Sequence, residues 1–372
     1  MRIKSSLLVS LGAMSLISLT AQAQTVADAS LSSESVKPTL VSADAASTPK
    51  ISLATSGTAE ASAVPEAINA PIVRPIDAMS RAAAVYGTYQ GDVSTVRNKP
   101  FASAKDIESA TLNLGGQDAD QLSKGWLAYS ALVASQSDEF RDAVRELASY
   151  YGRDRVLLGL RNDYTYVQSL AGSEEAVDAA ATALGNDSDR IKFAASYVQE
   201  QAYSLQASGW AKRKVGARKQ SILSSLGTGR SVDGDLLATL ASEEGDTALN
   251  LAGKSGAPSM WEGVQAAAKT IRFPTLTGGS IGGDSAKRSL AREDLAHRIN
   301  TLAAYRLLGV EGESASQLQT ALADRSSKRC LVKAQLNLQQ CVAAVHNQYE
   351  LPFCISEHAL TEVKTCMDKI VE

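Results

Sequence analysis

The sequence predicts a mainly α fold: a multi-helix globular body that ends in a disulfide-stapled antiparallel helical hairpin. Three observations carry this expectation. Only 5% of the 372 residues are aromatic, alanine, leucine and serine are abundant, and few β-branched runs alternate with polar residues; such a composition favours helices over sheets. Apolar residues recur at steps of three and four along much of the chain, the spacing of one face of a 3.6-residue helix. All four cysteines lie in the last 43 residues, at separations that suit a hairpin rather than a metal site.

The chain opens on a segment expected to be removed. Met1-Arg2-Ile3-Lys4 is a short positive start, an apolar stretch follows from Leu7 to Leu19, and Ala21-Gln22-Ala23 places small residues where a signal peptidase needs them. These parts in this order predict a Sec-type signal peptide over residues 1–23, cut after Ala23. The apolar stretch is shorter than the roughly 20 residues a membrane span needs. No cysteine stands near the cut to take a lipid, and no later stretch is apolar enough to span. The expected location is the periplasm or the cell exterior. Losing Arg2 and Lys4 moves the formal charge from −3 to −5. That acidity argues against a general nucleic-acid binder.

Residues 24–75 contain no aromatic residue and hold five of the nine prolines, amid Ala, Ser, Thr and Val. A stretch of this kind buries too little apolar area to offset its ordering entropy, so a disordered linker is expected, either a tether or a plain tail. Helical spacing begins near residue 76. Leu122, Trp126, Tyr129 and Val133 share one face, as do Phe140, Val144, Leu147 and Tyr151. Ser137 and Gly152 stand where caps of the second set belong. Ser173 followed by Glu174 and Glu175 marks another helix start. Asp187-Ser188-Asp189 reads as the start of a further helix carrying Ile191, Val198, Ala202 and Leu205.

Residues 226–284 hold eleven of the 26 glycines, with short helical pieces expected around Leu236–Leu240 and Trp261–Ile271. Helical spacing returns at Leu295, Ile299 and Leu302. The expected organisation is a helical domain over 76–284 with a glycine-rich end, then a helical segment over 285–372; one continuous helical domain is the alternative.

Catalytic and cofactor motifs are incomplete. Gly278 to Ser285 imitates a phosphate loop, but Asp284 occupies the lysine position and would repel phosphate. Asp187-Ser188-Asp189 imitates a calcium loop, but Lys192 and Val198 stand where glycine and glutamate belong. His297, His346 and His358 share no turn of helix. The Ser47 to Lys50 match to a serine–lysine motif lies in the linker. No cofactor or metal is implied. Two surface features remain. Lys212, Arg213, Lys214, Arg218 and Lys219 form a basic run that could touch anionic lipid or a cell-surface polymer, or simply be a solvated helix end. Tyr89, Tyr129, Tyr150, Tyr151, Tyr164 and Tyr166 could line a sugar-stacking groove, although tyrosines at helical spacing are more often core residues.

Cys330, Cys341, Cys354 and Cys366 are separated by 11, 13 and 12 residues. An even number of cysteines in an oxidising compartment predicts disulfides. Leu331, Ala334, Leu338, Cys341 and Val345 make one helical stripe, and Leu360, Val363, Met367 and Ile370 another, with a turn expected from Tyr349 to Phe353. This layout resembles the cysteine-paired hairpins of coiled coil–helix–coiled coil–helix proteins, with gaps of ten and eleven residues where those have nine. Two cysteines eleven residues apart on one helix lie roughly 16 Å apart, too far to bond. In an antiparallel hairpin bonded residues are equidistant from the turn. The pairs Cys341–Cys354 and Cys330–Cys366 have midpoints of 347.5 and 348 and fit one turn; the crossed pairing has midpoints of 342 and 353.5 and does not. The expected function is that of an exported, envelope-associated structural or interaction protein, which binds a protein or surface polymer through helical surfaces. The alternatives are a peptidoglycan or polysaccharide hydrolase with carboxylates assembled by the fold, and a periplasmic small-ligand binder.

Overall fold

Asp77 opens the first helix by accepting a bond from the backbone N–H of Ser80 at 2.5 Å, which satisfies one of the orphan amides of a helix start. The helix it starts, α1 (Ala78–Asn98), is rich in Ala, Gly and Ser and is buried on most of its circumference. A helix of small residues buried all round belongs at the centre of a bundle. Here it packs most extensively on α3 (Ala119–Ala134), which is buried almost throughout. The approach is close because Gly125 has no side chain: a Cβ there would lie 2.9 Å from the Ala82 carbonyl oxygen and 3.0 Å from the Tyr86 nitrogen.

The computed structural model describes residues 76–264, 271–273, 288–310 and 315–371. The signal peptide and linker, the Ser47 to Lys50 match and the loop from Gly278 to Ser285 lie outside the described residues. Among the described residues there is no β-strand beyond the single bridges Lys214 to Asn347 and Leu290 to Val371.

The third central helix is α6 (Ser173–Leu205), 33 residues long, roughly 50 Å at 1.5 Å per residue. It starts at Ser173, as expected, but runs unbroken through Asp187-Ser188-Asp189. Asp187 therefore does not begin a helix. It lies mid-helix, fully buried, because tertiary partners described below hold its carboxylate there. Around α1, α3 and α6 pack α2 (Ala104–Gly115), α4 (Asp138–Tyr151), α5 (Arg153–Asn162), α7 (Arg218–Ser225), α8 (Gly234–Leu240), α9 (Glu243–Ala252), α10 (Glu293–Leu307) and α11 (Ala315–Leu322). Gly152 takes a φ of 83° between α4 and α5, a conformation natural only to glycine. Ser137 occupies the cap position of α4, yet its hydroxyl makes no cap bond. Trp261 lies in a 3-10 turn, Met260–Gly263, and residues 265–270 of the expected Trp261–Ile271 helix lie outside the described residues. One hydrophobic core runs from Met79 to Ile370 and joins residues from both sides of position 284.

The C-terminal hairpin rises on α12 (Arg325–Ala344), capped by Asp324 on the Ser327 amide at 2.8 Å. It returns through α13 (Leu351–Cys354), a π-helical stretch (Ile355–Thr361) and α14 (Glu362–Asp368). Two nested disulfides staple it, Cys330–Cys366 and Cys341–Cys354, with Cα atoms 5.7 Å apart in each. The turn lies earlier than Tyr349 to Phe353: Val345 to Glu350 reverse the chain, and Pro352 sits in the first turn of α13, where its missing N–H costs nothing. The returning arm packs along α6. Its π segment widens the helix, and the Tyr89 hydroxyl donates to the Ala359 carbonyl there at 2.9 Å. Among the described residues no helix is long and apolar enough to cross a membrane.

Candidate functional site

After α6 the chain forms an irregular loop that carries the basic run. Ala211 and Val215 turn inward and are buried, which anchors the loop to the core. Its backbone polar groups need partners, and the tip of the stapled hairpin supplies them. Tyr349 N–H donates to Ala211 O at 3.1 Å, Gln348 N–H to Arg213 O at 3.0 Å, and Val215 N–H to His346 O at 2.9 Å. The Gln348 side chain donates to Lys214 O at 3.2 Å and is itself buried. With the backbone pinned, the side chains of Lys212, Arg213 and Lys214 face solvent.

Arg218 and Lys219 form the first turn of α7, where the helix dipole disfavours positive charge. Lys219 is compensated: its ammonium donates to Ala343 O at 3.0 Å, at the negative end of α12. Arg218 reaches Glu108 at 3.4 Å, with half its side chain exposed, a pairing of small value. Among the described residues no carboxylate forms an ion pair with Lys212, Arg213 or Lys214. The run is thus one structural lysine and four outward cations.

Two of those cations share a groove of about 290 Å³ with Trp210, Gln348, and Ser103 and Ala104 of the α2 start. No carboxylate lines it. Nearby Asp106 is occupied as a cap: it accepts from the Ser103 hydroxyl at 2.8 Å and from the Ala102 N–H at 3.2 Å. Burial is the largest single influence and pushes its carboxyl up, but the bonds from Ser103, Lys99 and Ala102 together outweigh it and hold the carboxyl below the ordinary value. The α2 start, the basic loop and the hairpin tip meet here from three distant parts of the chain.

A larger cavity of about 320 Å³ lies beside α1, α3, α4 and α10 and contains Arg141, Arg145, Arg306, Asp77 and Asp246. Its charges are interlocked. Arg306 donates to Asp77 at 2.7 Å and to Asp246 at 3.4 Å, and Arg141 binds Asp138. Arg145 pairs with Asp142 at 3.9 Å, so each of the three cations has a carboxylate partner.

The tyrosines do not gather into a groove. Tyr86, Tyr89 and Tyr129 are wholly buried, Tyr166 packs at the core edge, and Tyr150, Tyr151 and Tyr164 stand exposed on the α4–α5 side. The buried three surround the polar centre of the molecule. Asp187 accepts from the Tyr86 hydroxyl at 2.9 Å, the Ser259 hydroxyl at 2.6 Å and the Trp261 indole N–H at 2.9 Å. Arg190, one turn along, donates to the Gln90 side chain at 2.5 Å and to Trp261 O at 3.1 Å. Burial raises the Asp187 carboxyl to about 6, against the opposing pull of Ser259, Arg190, Tyr86 and Trp261. Asp92, buried against Arg230, is also raised to about 6 by burial. Asp187 has no exposed surface, so it cannot reach a substrate in this structure. Among the described residues no three His, Cys, Asp or Glu side chains converge as a metal site.

No family model, curated protein or solved structure matches this chain. The site therefore rests on its own geometry. Sequence reasoning picked out the basic run but missed Trp210, Gln348 and the α2 start as its neighbours. Trp210 stands two residues before Lys212, a signal that was present. Nothing local in the sequence places Ser103 or Gln348 beside it.

Proposed function

We propose that the protein is an exported, envelope-associated interaction protein that holds a protein or cell-surface polymer through the basic loop and the groove beside it. The observation that carries the reading is the pinned loop itself: three outward cations, Lys212, Arg213 and Lys214, on a backbone clamped by a disulfide-stapled tip, with Arg218 beside them at the start of α7. An unconstrained basic tail would lose conformational entropy on binding, and a clamped one loses less. Export is supported by the signal-like Met1 to Ala23 segment and by two disulfides, which persist in oxidising compartments.

Mature protein beginning at Gln24 should retain anionic material from envelope extracts, in a salt-sensitive way. The triple variant Lys212→Glu, Arg213→Glu, Lys214→Glu should fold and retain little. Equal retention by both would reject the reading. Incubation with peptidoglycan and exopolysaccharides should release no soluble fragments; release abolished by one carboxylate substitution would replace this function with hydrolysis.

A further inference from the structure

We propose that the groove between Trp210, Arg213 and Arg218 is a binding subsite for one anionic sugar unit, the ring lying against the indole and its carboxylate or phosphate held by the two guanidinium groups. The inference rests on the interaction reading and gives it a ligand class.

The lining separates the two kinds of cation in the run. Arg213 and Arg218 line the groove, whereas Lys212, Lys214 and Lys219 do not. Arginine presents a planar fork that matches carboxylate and phosphate oxygens in pairs, and lysine offers only a point charge. A site for diffuse polyanion attraction has no need of that division. Trp210 adds an indole that is half-buried, packs against the core and lines the groove. Aromatic faces beside charged forks suit a ligand that is apolar on one side and anionic on the other, as a uronate or phosphorylated hexose is. The groove of about 290 Å³ sits at the low end of ligand pockets, so it has room for one sugar rather than a large molecule. Ser103 and Ala104 at the start of α2 line the groove, as does the buried Gln348, which its bond to Lys214 O holds in place. Arg218 would exchange its weak contact with Glu108, at 3.4 Å, for the ligand.

Indole fluorescence reads this site directly, because Trp126 and Trp261 are 1% and 0% exposed and leave Trp210 as the reporter. The mature protein is titrated with a tri-uronate, a phosphorylated hexose oligomer, neutral maltotriose, poly-glutamate and vesicles containing phosphatidylglycerol. Both anionic sugars should shift the emission saturably, and the tighter of the two identifies the source of the anion. Maltotriose should bind at least tenfold more weakly. Arg213→Lys and Arg218→Lys, which keep charge and lose the fork, should each weaken sugar binding about tenfold with an unchanged melting curve. Trp210→Leu should do the same by calorimetry. Poly-glutamate producing the same saturable emission change as the sugars would overturn the subsite, as would vesicles doing so, or no saturable binding of either sugar. If the sugars fail while the loop's charge-dependent retention of envelope material persists, the subsite is wrong and the interaction reading stands. If both fail, both are wrong.

Discussion

Asp187 shows how one side chain can contradict its neighbours in sequence and still be correct in the fold. Asp-Ser-Asp is a good helix opening by residue type, yet α6 passes straight through it. The groups that reverse the local preference, Tyr86, Ser259 and Trp261, lie 101, 72 and 74 residues away, beyond any window in which a periodic pattern is read. The titration follows from the same burial. The folded carboxyl ionises at about 6 against an ordinary value of 3.8. The folded protein thus keeps a proton between roughly pH 4 and 6 that the unfolded chain has lost. A raised folded value stabilises fully below the unfolded one, and that contribution is lost as pH rises through about 6. Asp187→Asn can keep the three bonds, by donating to Ser259 and accepting from Tyr86 and Trp261, but it cannot titrate. The stability of the native protein relative to Asp187→Asn should therefore fall as pH rises from 4 to 6 and stay level above 7. Denaturant melts at each pH measure it; a flat difference throughout would reject the assignment. Asp187→Ala should cost about 3–5 kcal/mol at pH 7, because it strands buried donors and leaves the buried Arg190 with Glu262, at 3.7 Å, as its remaining carboxylate.

At the scale of elements, the crossing of α1 and α3 depends on the missing side chain at Gly125. A methyl group placed 2.9 Å from the Ala82 oxygen and 3.0 Å from the Tyr86 nitrogen would meet backbone, which cannot rotate away. Gly125→Ala should destabilise by about 1–3 kcal/mol, the ordinary cost of overpacking, even though alanine is the better helix former. Gly125→Val should be worse. A neutral or stabilising Gly125→Ala, measured by urea unfolding, would show that the helices stand farther apart. The helices α3 and α4 were legible because each has a face with steps of three and four, and Ser173-Glu174-Glu175 placed the start of α6. The π turn in the hairpin was not. Its register slip is met by Tyr89, 270 residues from Ala359, whose hydroxyl donates to the Ala359 carbonyl of the widened helix, and residue spacing within the hairpin carries no trace of that contact. The nested pairing was legible because two distances along helices and one symmetry condition leave a single solution.

At the scale of the molecule, the staple and the basic groove are one assembly, and this was invisible in the sequence because they sit over a hundred residues apart. The two disulfides do different work in it. Cys330–Cys366 closes a separation of 36 residues and Cys341–Cys354 one of 13. On loop-closure entropy alone their removal should cost about 4 and about 3 kcal/mol respectively, less for both together than the sum because one loop lies inside the other. Stability should thus suffer more from loss of the outer bond. The groove should suffer more from loss of the inner one. Cys341 and Cys354 flank the tip, residues 345–350, and that tip supplies the bonds to Ala211 O, Arg213 O and Lys214 O and accepts from Val215 N–H. Freed from its staple, the tip can open locally without the whole domain unfolding. Amide exchange separates the two effects. Cys341→Ser with Cys354→Ser should speed exchange at Val215, Gln348 and Tyr349 selectively and weaken retention of anionic ligands. Cys330→Ser with Cys366→Ser should lower the melting midpoint further yet leave those three amides protected relative to the global limit. If the inner pair can be removed with no change at these amides, the tip is held by packing of Leu351 and Gln348 alone, and the staple serves the fold rather than the groove.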